Sequence, residues 1–570
     1  MDPLQPFREE VDRCLKQALR RVGAPLDLPV ETPDTSIADF AFPCFTLAKT
    51  LKKAPVVIAE ELSLNLPKSA LIEKAWAEKG YLNFRLESLA LARITLETIL
   101  REKEAYGRGE PKHIKVLLEH TSVNPTGPIH VGRARNPFIG DTLARCLRKT
   151  GYEVTTEYLV NDVGKQVVLL CWGVRNAVSD QEKPERDKDD HILVGYYRQA
   201  NKLMETDPRV QEEIAAMTRA FEAGDPATIS MVRETAERML SGIKQSLALV
   251  GVHIDNYTWE SQFIINGEAR RVVERLKATP YCHEEGGALY LDLSEFGIHG
   301  KSTKFFFTRS DGTTLYTTRD MAYHLDKFKR ADVVINVLGE DQKLGQQQLA
   351  AALKILGEKR VPECLFYAFV SLPEGRMSTR KGLVVYLDDL IDEAEERAYE
   401  EVRKRRTDLS EQRMREIARW IGRGALRFNM VRVQPEKQIV FKWEEALNFE
   451  GNSAPFVQYA HARCCSIMKK AEDYQPVLEP SRLTQPYEIK LIRILAQYPS
   501  VVRDCALKRR VHLLPAYAQE VAAAFNQFYA YVPVLRSGEN QAARLTLVEA
   551  TMWVLRSALD TLGIAAPEEM

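Results

Sequence analysis

The sequence predicts a parallel α/β domain carrying a helical insertion, with a small α+β domain before it and an all-α helical bundle after it. Three observations carry this. A strand–helix–strand pattern spans residues 114–160, alternating strands and helices return after residue 300, and strand signals nearly vanish beyond Asp388. A chain of 570 residues also exceeds what one hydrophobic core organises, so several domains are expected.

Taken in order, Val11, Cys14, Leu15, Ala18, Leu19 and Val22 follow helical spacing over residues 7–22, and Gly23 closes the segment. A proline-rich turn at 25–33, a helical stretch to about residue 66 and an alternating run over 81–86 complete an α+β unit. Gly107-Arg108-Gly109 reads as its linker, which sets a first domain at 1–108. Residues 114–118 form a short β-branched strand, 132–150 a helix and 152–160 a second strand; such βαβ units build parallel, nucleotide-binding sheets. The stretch from about 165 to 280 reads as mainly helical and includes a charged loop at 181–190. A helix then starts at 315–317, followed by a strand at 333–338, a helix at 342–356 and a strand at 365–372. The α/β domain is therefore placed at 109–390, a basic helical region at 391–450 and the bundle at 451–570.

Lys+Arg and Asp+Glu both number 79, so a generally basic nucleic-acid coat is excluded, while local basic surfaces are not. No apolar run is long enough to span a bilayer. Met1-Asp2-Pro3 has neither a basic nor an apolar leader region. Nine cysteines without any C-x-x-C point to free thiols in a reducing, cytoplasmic setting and give no zinc framework.

Two loops carry chemistry. Pro128-Ile129-His130-Val131-Gly132-Arg133 follows a strand and opens a helix, whose N-terminal N–H groups suit a phosphate. Gly132 allows backbone or an adenine ring to approach where a Cβ would collide. His130 is placed to donate to a phosphate oxygen as charge develops there. Alone, one loop histidine reads as structural. Arg376-Met377-Ser378-Thr379-Arg380-Lys381-Gly382 follows the last strand of the α/β pattern, and alone it reads as a solvated turn.

Together they resemble the paired signatures of class I aminoacyl-tRNA synthetases: His130 to Arg133 is similar to HIGH, and Arg376 to Arg380 to KMSKS. The arginyl-tRNA synthetase family is the nearer resemblance. It rests on Glu119 to His130 (EHTSVNPTGPIH), Tyr158 to Gln166 (YLVNDVGKQ), Leu315 to Asp320 (LYTTRD), Met377 to Gly382 (MSTRKG) and Ala454 to Arg463 (APFVQYAHAR). The ending Leu562 to Met570 also fits. The matches keep family order from about residue 35 to 570. The resemblance implies a Rossmann-type catalytic domain, an N-terminal tRNA-contacting domain and an anticodon-binding bundle.

It also implies a pocket. The guanidinium acceptors fall on Glu260 and Asp320 with Tyr316 alongside, while Glu119 and Asn124 lie near the α-amino and carboxylate groups, and Gln342 joins them. A planar, permanently charged guanidinium needs such carboxylates. The bare residues allow other readings: Asp320 paired with neighbouring Arg319, and Glu260 as a surface acid. His130, Gly132, Arg133 and Ser378 are implied at ATP, and Met377, Arg380 and Lys381 complete the catalytic set. Departures are Arg133 for the last histidine of HIGH, Thr379 for the second lysine of KMSKS, Gly127 where a compensating lysine can stand, and Pro43 for an asparagine in the tRNA-elbow pattern. The segment Gly339-Glu340-Asp341-Gln342 also departs from the common form.

For tRNA, residues 401–442 hold twelve Lys/Arg against five Asp/Glu, and Arg415, Arg419, Arg423 and Arg427 repeat every four residues, as one phosphate-facing stripe or a solvated face. Phe456 and Tyr459 match positions that stack on anticodon bases; Tyr529 reads as a third or as core, and Met570 ends the family's terminal segment. The function implied is ATP-dependent joining of L-arginine to tRNA(Arg) by a monomer, with magnesium accompanying ATP and no metal held by the chain. Another class I synthetase would lack the paired acids Glu260 and Asp320. A silent RNA-binding relative would be expected to lose His130 or Met377-Ser378.

Overall fold

Five parallel strands form the central sheet in the order Glu363–Tyr367, Val333–Gly339, Lys115–Glu119, Glu153–Val160 and Asn256–Trp259. These come from a computed structural model that describes all residues except 27–28, 34–36, 182, 300–302, 374–383 and 472–474. The strands read as near-continuous apolar runs such as Val333-Val334-Ile335 because helices cover both faces. Among the buried polar exceptions, register sets Asn336, in mid-strand, beside Glu119 at the end of its strand.

The predicted helix at 132–150 enters as a tight turn, Val131–Arg133, and continues as Arg135–Lys149. Its Gly140 lies against His120, whose ring a Cβ would strike, so helix and strand approach closely. The run at 365–372 is two strands rather than one. Glu363–Tyr367 stays in the sheet, while Val370–Ser371 leaves to pair with Ile439–Val440. The insertion contains the helices Lys165–Arg175, Asp189–Thr206, Pro208–Glu222 and Pro226–Leu249 around Trp172, Ile214 and Phe221. Asp207-Pro208 and Asp225-Pro226 start two of them, each aspartate accepting from a first-turn N–H. The edge strand Asn256–Trp259 and an antiparallel sheet of Cys282–Glu285, Ala288–Asp292 and Lys304–Phe306 were not predicted. Both are short strands of mixed polarity.

The N-terminal helix Gln5–Arg21 buries Phe7, Val11, Cys14, Leu15, Ala18 and Leu19 on a three-stranded sheet. This unit is clamped to the bundle. Asp39, in the elbow pattern, is buried, accepts the Leu86 N–H at 2.8 Å and pairs with Arg493. Tyr106, just before the linker glycines, is buried and its hydroxyl donates to the Leu495 carbonyl at 3.0 Å.

After the sheet come Leu387–Arg405 and Glu411–Val431, packed so closely that a Cβ on Gly422 would lie 2.6 Å from the Ala394 oxygen. The bundle follows as Ala454–Lys470, Pro486–Leu495, Tyr498–Lys508, Leu513–Tyr531 and Gln541–Leu562. Gly563, at φ +70°, ends the last helix in the left-handed region, with the Arg427 guanidinium packed where a Cβ would project. Arg427 thus leaves the predicted stripe. It is buried, paired with Asp141, and donates to the Val250 carbonyl at 3.0 Å. All nine cysteines are free thiols. Among the described residues no helix is long and apolar enough to cross a membrane.

Candidate active site

A cleft of about 890 Å³ opens at the C-terminal ends of the central strands, where parallel α/β sheets bind ligands. Glu119, Asn124, His130, Arg133, Glu260, Tyr316, Asp320 and Gln342 all line it, so segments far apart in the chain converge there.

Glu119 ends its strand, buried. One carboxylate oxygen accepts from the Ser122 hydroxyl at 2.9 Å, and the other pairs with the buried Lys327 ammonium. The chain turns sharply after it: Thr121 and Ser122 have φ of +72° and +35°. A β-branched residue in that region is strained. The turn is held by the Thr121 N–H donating to Asn136 at 2.8 Å and by the Leu159 N–H donating to the Ser122 hydroxyl at 3.0 Å. Sequence reasoning missed this turn, although Thr-Ser between a strand and Asn124-Pro125 marked a bend. The Asn124 amide donates to Gln166 at 3.0 Å.

Asp320 lies in the first turns of helix Tyr316–Arg330, its side chain 32% exposed to the cleft. Its carboxylate meets His324 Nδ1 at 3.0 Å. Burial opposes ionisation, but His324 and Lys327 outweigh it and hold the Asp320 carboxyl below its usual range. Tyr316 stands one turn earlier and is largely exposed. Arg319 turns away from Asp320: its Nε donates to Glu260 at 2.5 Å, and both groups are buried. Neither alternative from sequence therefore holds, since Asp320 is free of Arg319 and Glu260 is no surface acid. Yet Glu260 already carries a guanidinium from its own chain. Burial raises its carboxyl pKa against the pull of Arg319.

At the other end, His130 Nδ1 accepts the Gly132 N–H at 3.0 Å, which leaves the ring proton on Nε2. Burial first, then Arg133, lowers its pKa, so a neutral donor results. A Cβ on Gly132 would crowd the His130 ring at 3.1 Å; the close approach there is to the chain itself. Arg133 pairs with Asp341 at 3.3 Å and lies over the Phe369 ring, while Gln342 donates to Asp341 at 3.2 Å. Met377, Ser378, Arg380 and Lys381 lie outside the described residues. The segment that follows them is anchored beside His130: the Val131 N–H donates to the Val385 carbonyl at 3.0 Å, and the Leu387 N–H to Ile129 at 2.8 Å.

On the bundle, Tyr459 and Tyr529 are brought together by Arg463, whose guanidinium lies 4.7 and 5.6 Å from their ring centres. Arg463 ends the segment Ala454 to Arg463, and nothing local in the sequence marks its role. Phe456 is partly buried against the core. The main-chain oxygen of Met570 accepts from Arg406 at 2.7 Å. Arg423 pairs with Glu395 at 2.6 Å, and Arg419 reaches the same acid at 3.9 Å. Among the described residues, Asp190, His191 and Asp388 could hold a metal ion, but the Lys188 ammonium stands 2.9 Å from Asp388 and 3.1 Å from Asp190. A cation is already supplied there.

Three family models match in the order of the domains just described. An "Arginyl tRNA synthetase N terminal domain" covers residues 9–86, "tRNA synthetases class I (R), catalytic domain" 95–443, and "DALR anticodon binding domain" 457–570. An arginine–tRNA ligase from Methanocella arvoryzae is 48% identical over 99% of both chains. One from Methanocaldococcus jannaschii is 41% identical over 99% of this chain and 100% of its own. The solved arginyl-tRNA synthetase of Thermus thermophilus is 31% identical, with a TM-score of 0.85 over 99% of this chain and 100% of that one. That of Plasmodium falciparum, at 17% identity and a TM-score of 0.80, is alike in fold. With the catalytic model spanning over half the chain and relatives matching end to end, the chain belongs to the arginyl-tRNA synthetase family.

Proposed function

We propose that the cleft joins L-arginine to ATP, releasing pyrophosphate, and then passes the arginyl group to the terminal adenosine of tRNA(Arg), releasing AMP. The observation that carries this reading is the lining of the cleft, where the acids Glu119, Glu260 and Asp320 share one cavity with His130 and Arg133 of the helix-opening loop. One cleft thereby offers acids to a cationic amino acid and a helix-opening loop to a polyanionic nucleotide.

In this reading Asp320 takes the guanidinium, with Tyr316 beside it and Glu260 acting together with Arg319. Glu119 and Asn124 hold the α-amino and carboxylate groups, and Gln342 closes that side. The carboxylate oxygen attacks the α-phosphorus, and the bond to pyrophosphate breaks. The His130 Nε2–H donates to a phosphate oxygen as negative charge develops, with Gly132 keeping its ring in place. Arg133, Arg380 and Lys381 meet the departing pyrophosphate, with Met377 and Ser378 in the same loop. Positioning and charge stabilisation suffice, and no covalent enzyme intermediate is needed. Magnesium would arrive with ATP. Asp341, the carboxylate beside Arg133, is already paired, so no side chain is assigned to the ion. The tRNA would be met by residues 1–108, by Arg419 and Arg423 in 391–450, and by Phe456, Tyr459, Tyr529 and Met570 in 451–570. A cytoplasmic monomer fits these assignments.

Arginine-dependent exchange of pyrophosphate into ATP tests the reading. Exchange is expected with arginine alone among amino acids and only when tRNA(Arg) is bound. Vigorous exchange without tRNA would remove that requirement, and exchange driven by another amino acid would overturn the substrate assignment.

A further inference from the structure

Beneath the cleft, three buried side chains join Glu119 to Asp320. Lys327 pairs with Glu119 and donates to Asn336 Oδ1 at 3.0 Å. Asn336 Nδ2 contacts His324 Nε2 at 2.8 Å, and His324 Nδ1 lies 3.0 Å from an Asp320 carboxylate oxygen and 2.8 Å from its carbonyl. Lys327, Asn336 and His324 are each at most 1% exposed. Groups this deeply buried must find partners within the chain.

The order of donors in this chain is determined. An ammonium can only donate, so the amide oxygen of Asn336 must face Lys327. Its NH2 therefore faces His324, and the Oε1 of Gln346 at 3.4 Å fits the same orientation. Nε2 must then accept, which leaves the ring proton on Nδ1, where it hydrogen-bonds the Asp320 carbonyl at 2.8 Å with an Asp320 carboxylate oxygen 3.0 Å away. We propose that Lys327, Asn336 and His324 form a directional relay that fixes the tautomer of His324 and so positions the ionised carboxylate of Asp320 for the substrate guanidinium. The relay starts at Glu119, so the two ends of the amino-acid site share one framework. His324 and Asn336 are positioning residues. A neutral ring that donates one hydrogen bond orients Asp320 without cancelling its charge, which a lysine at that position would do.

The inference rests on the assignment of Asp320 to the guanidinium, and the test separates the two. KM for arginine, KM for ATP and kcat are measured in tRNA-dependent pyrophosphate exchange for Asp320→Asn, His324→Ala, His324→Gln and Asn336→Asp. An Asp320→Asn enzyme with unchanged arginine KM would overturn the assignment itself. If it loses arginine, the relay is tested. His324→Ala should raise arginine KM roughly 10- to 100-fold, the range for a hydrogen bond to a charged group, with ATP KM within about twofold. His324→Gln can still accept from Asn336 and donate to Asp320, so it should recover to within about threefold. Asn336→Asp keeps the shape but offers only acceptors, so the ring must carry both protons and partly neutralise Asp320; arginine KM should rise about tenfold here too. Should His324→Ala fail to fold, the Gln and Asp variants decide. An arginine KM unchanged in Asn336→Asp, or raised alike in His324→Gln and Asn336→Asp together with ATP KM, would overturn the relay.

Discussion

The arginine end of the cleft and the outer face of the helical bundle both set a cation beside tyrosines, yet they hold it in opposite ways. Beneath the cleft, Lys327 lies 4.0 Å from the Tyr323 ring centre, fully buried, and is answered by Glu119 and Asn336. On the bundle, Arg463 lies between Tyr459 and Tyr529, whose rings stay 42% and 38% exposed. The first arrangement suits a small ligand of fixed shape, since every group it meets is already oriented before binding. The second suits single-stranded bases, because any base has a face that stacks and exact placement matters less. One chain therefore has a wired end and an open end. Substitutions should act sharply on one ligand at the first and gradually at the second.

The largest effect is expected at Asp320. Asp320→Asn keeps the shape but removes a charge-assisted partner, which costs on the order of 2–4 kcal/mol, or roughly 30- to 1000-fold in arginine KM. ATP KM should change far less. Glu260→Gln should behave differently because Glu260 already answers Arg319. Breaking a buried pair is worth up to about 3–5 kcal/mol, so its main loss should appear in unfolding free energy. Equal losses of arginine binding in the two variants would place both acids against substrate and undo this distinction.

Acid should also separate the ends. His120 follows Glu119, its ring buried and 2.9 Å from the Thr121 hydroxyl, and burial pushes its pKa down to about 4. The folded value is below the unfolded one, near 6.5. This contribution is fully present above pH ~6.5 and is lost as pH falls toward ~4, amounting to roughly 3 kcal/mol. Urea unfolding of wild type and His120→Gln across that range checks it. The variant should lose that part of the pH slope, and parallel slopes would exclude the ring.

At the open end, Tyr459→Ala or Arg463→Ala should raise tRNA KM about 5- to 100-fold, the worth of one stacked base. Arginine and ATP constants at saturating tRNA should stay within about twofold. A change confined to arginine KM would mean that the two ends are coupled.

The contrast also marks what was legible in the sequence. The sheet and the burial of Leu15 and Leu19 follow from local periodicity, which is written along the chain, whereas Asp320 and Tyr316 were implied by the family resemblance of Leu315 to Asp320. The partners are not. Arg319 turning to Glu260, Arg463 lying between two tyrosines and Asp39 meeting Arg493 each join residues from distant segments. A helical repeat tells which residues share a face, but not which later element covers it. The short strand Asn256–Trp259 escaped for a related reason: its neighbour Glu153–Val160 makes it a strand, while its own four residues carry little alternation.

The basic helix shows this most plainly and has the smallest expected effect. Arg415, Arg419, Arg423 and Arg427 share one helical spacing, but Arg427 is buried on Asp141, and the other three face acids. Arg415 meets Glu411 at 3.2 Å, while Arg419 and Arg423 share Glu395. Exposed pairs of this kind are worth about 0–1 kcal/mol, and a phosphate must compete with Glu395 for the same guanidinium. Arg419→Ala and Arg423→Ala should therefore each raise tRNA KM less than about threefold, with a change of under about one in the slope of log KM against log salt. Glu395→Gln frees both arginines and should tighten tRNA by a similar factor. A loss of tenfold or more in either arginine variant would mean that tRNA draws these side chains away from their acids. The helix pair would then belong with the open end rather than with the wired one.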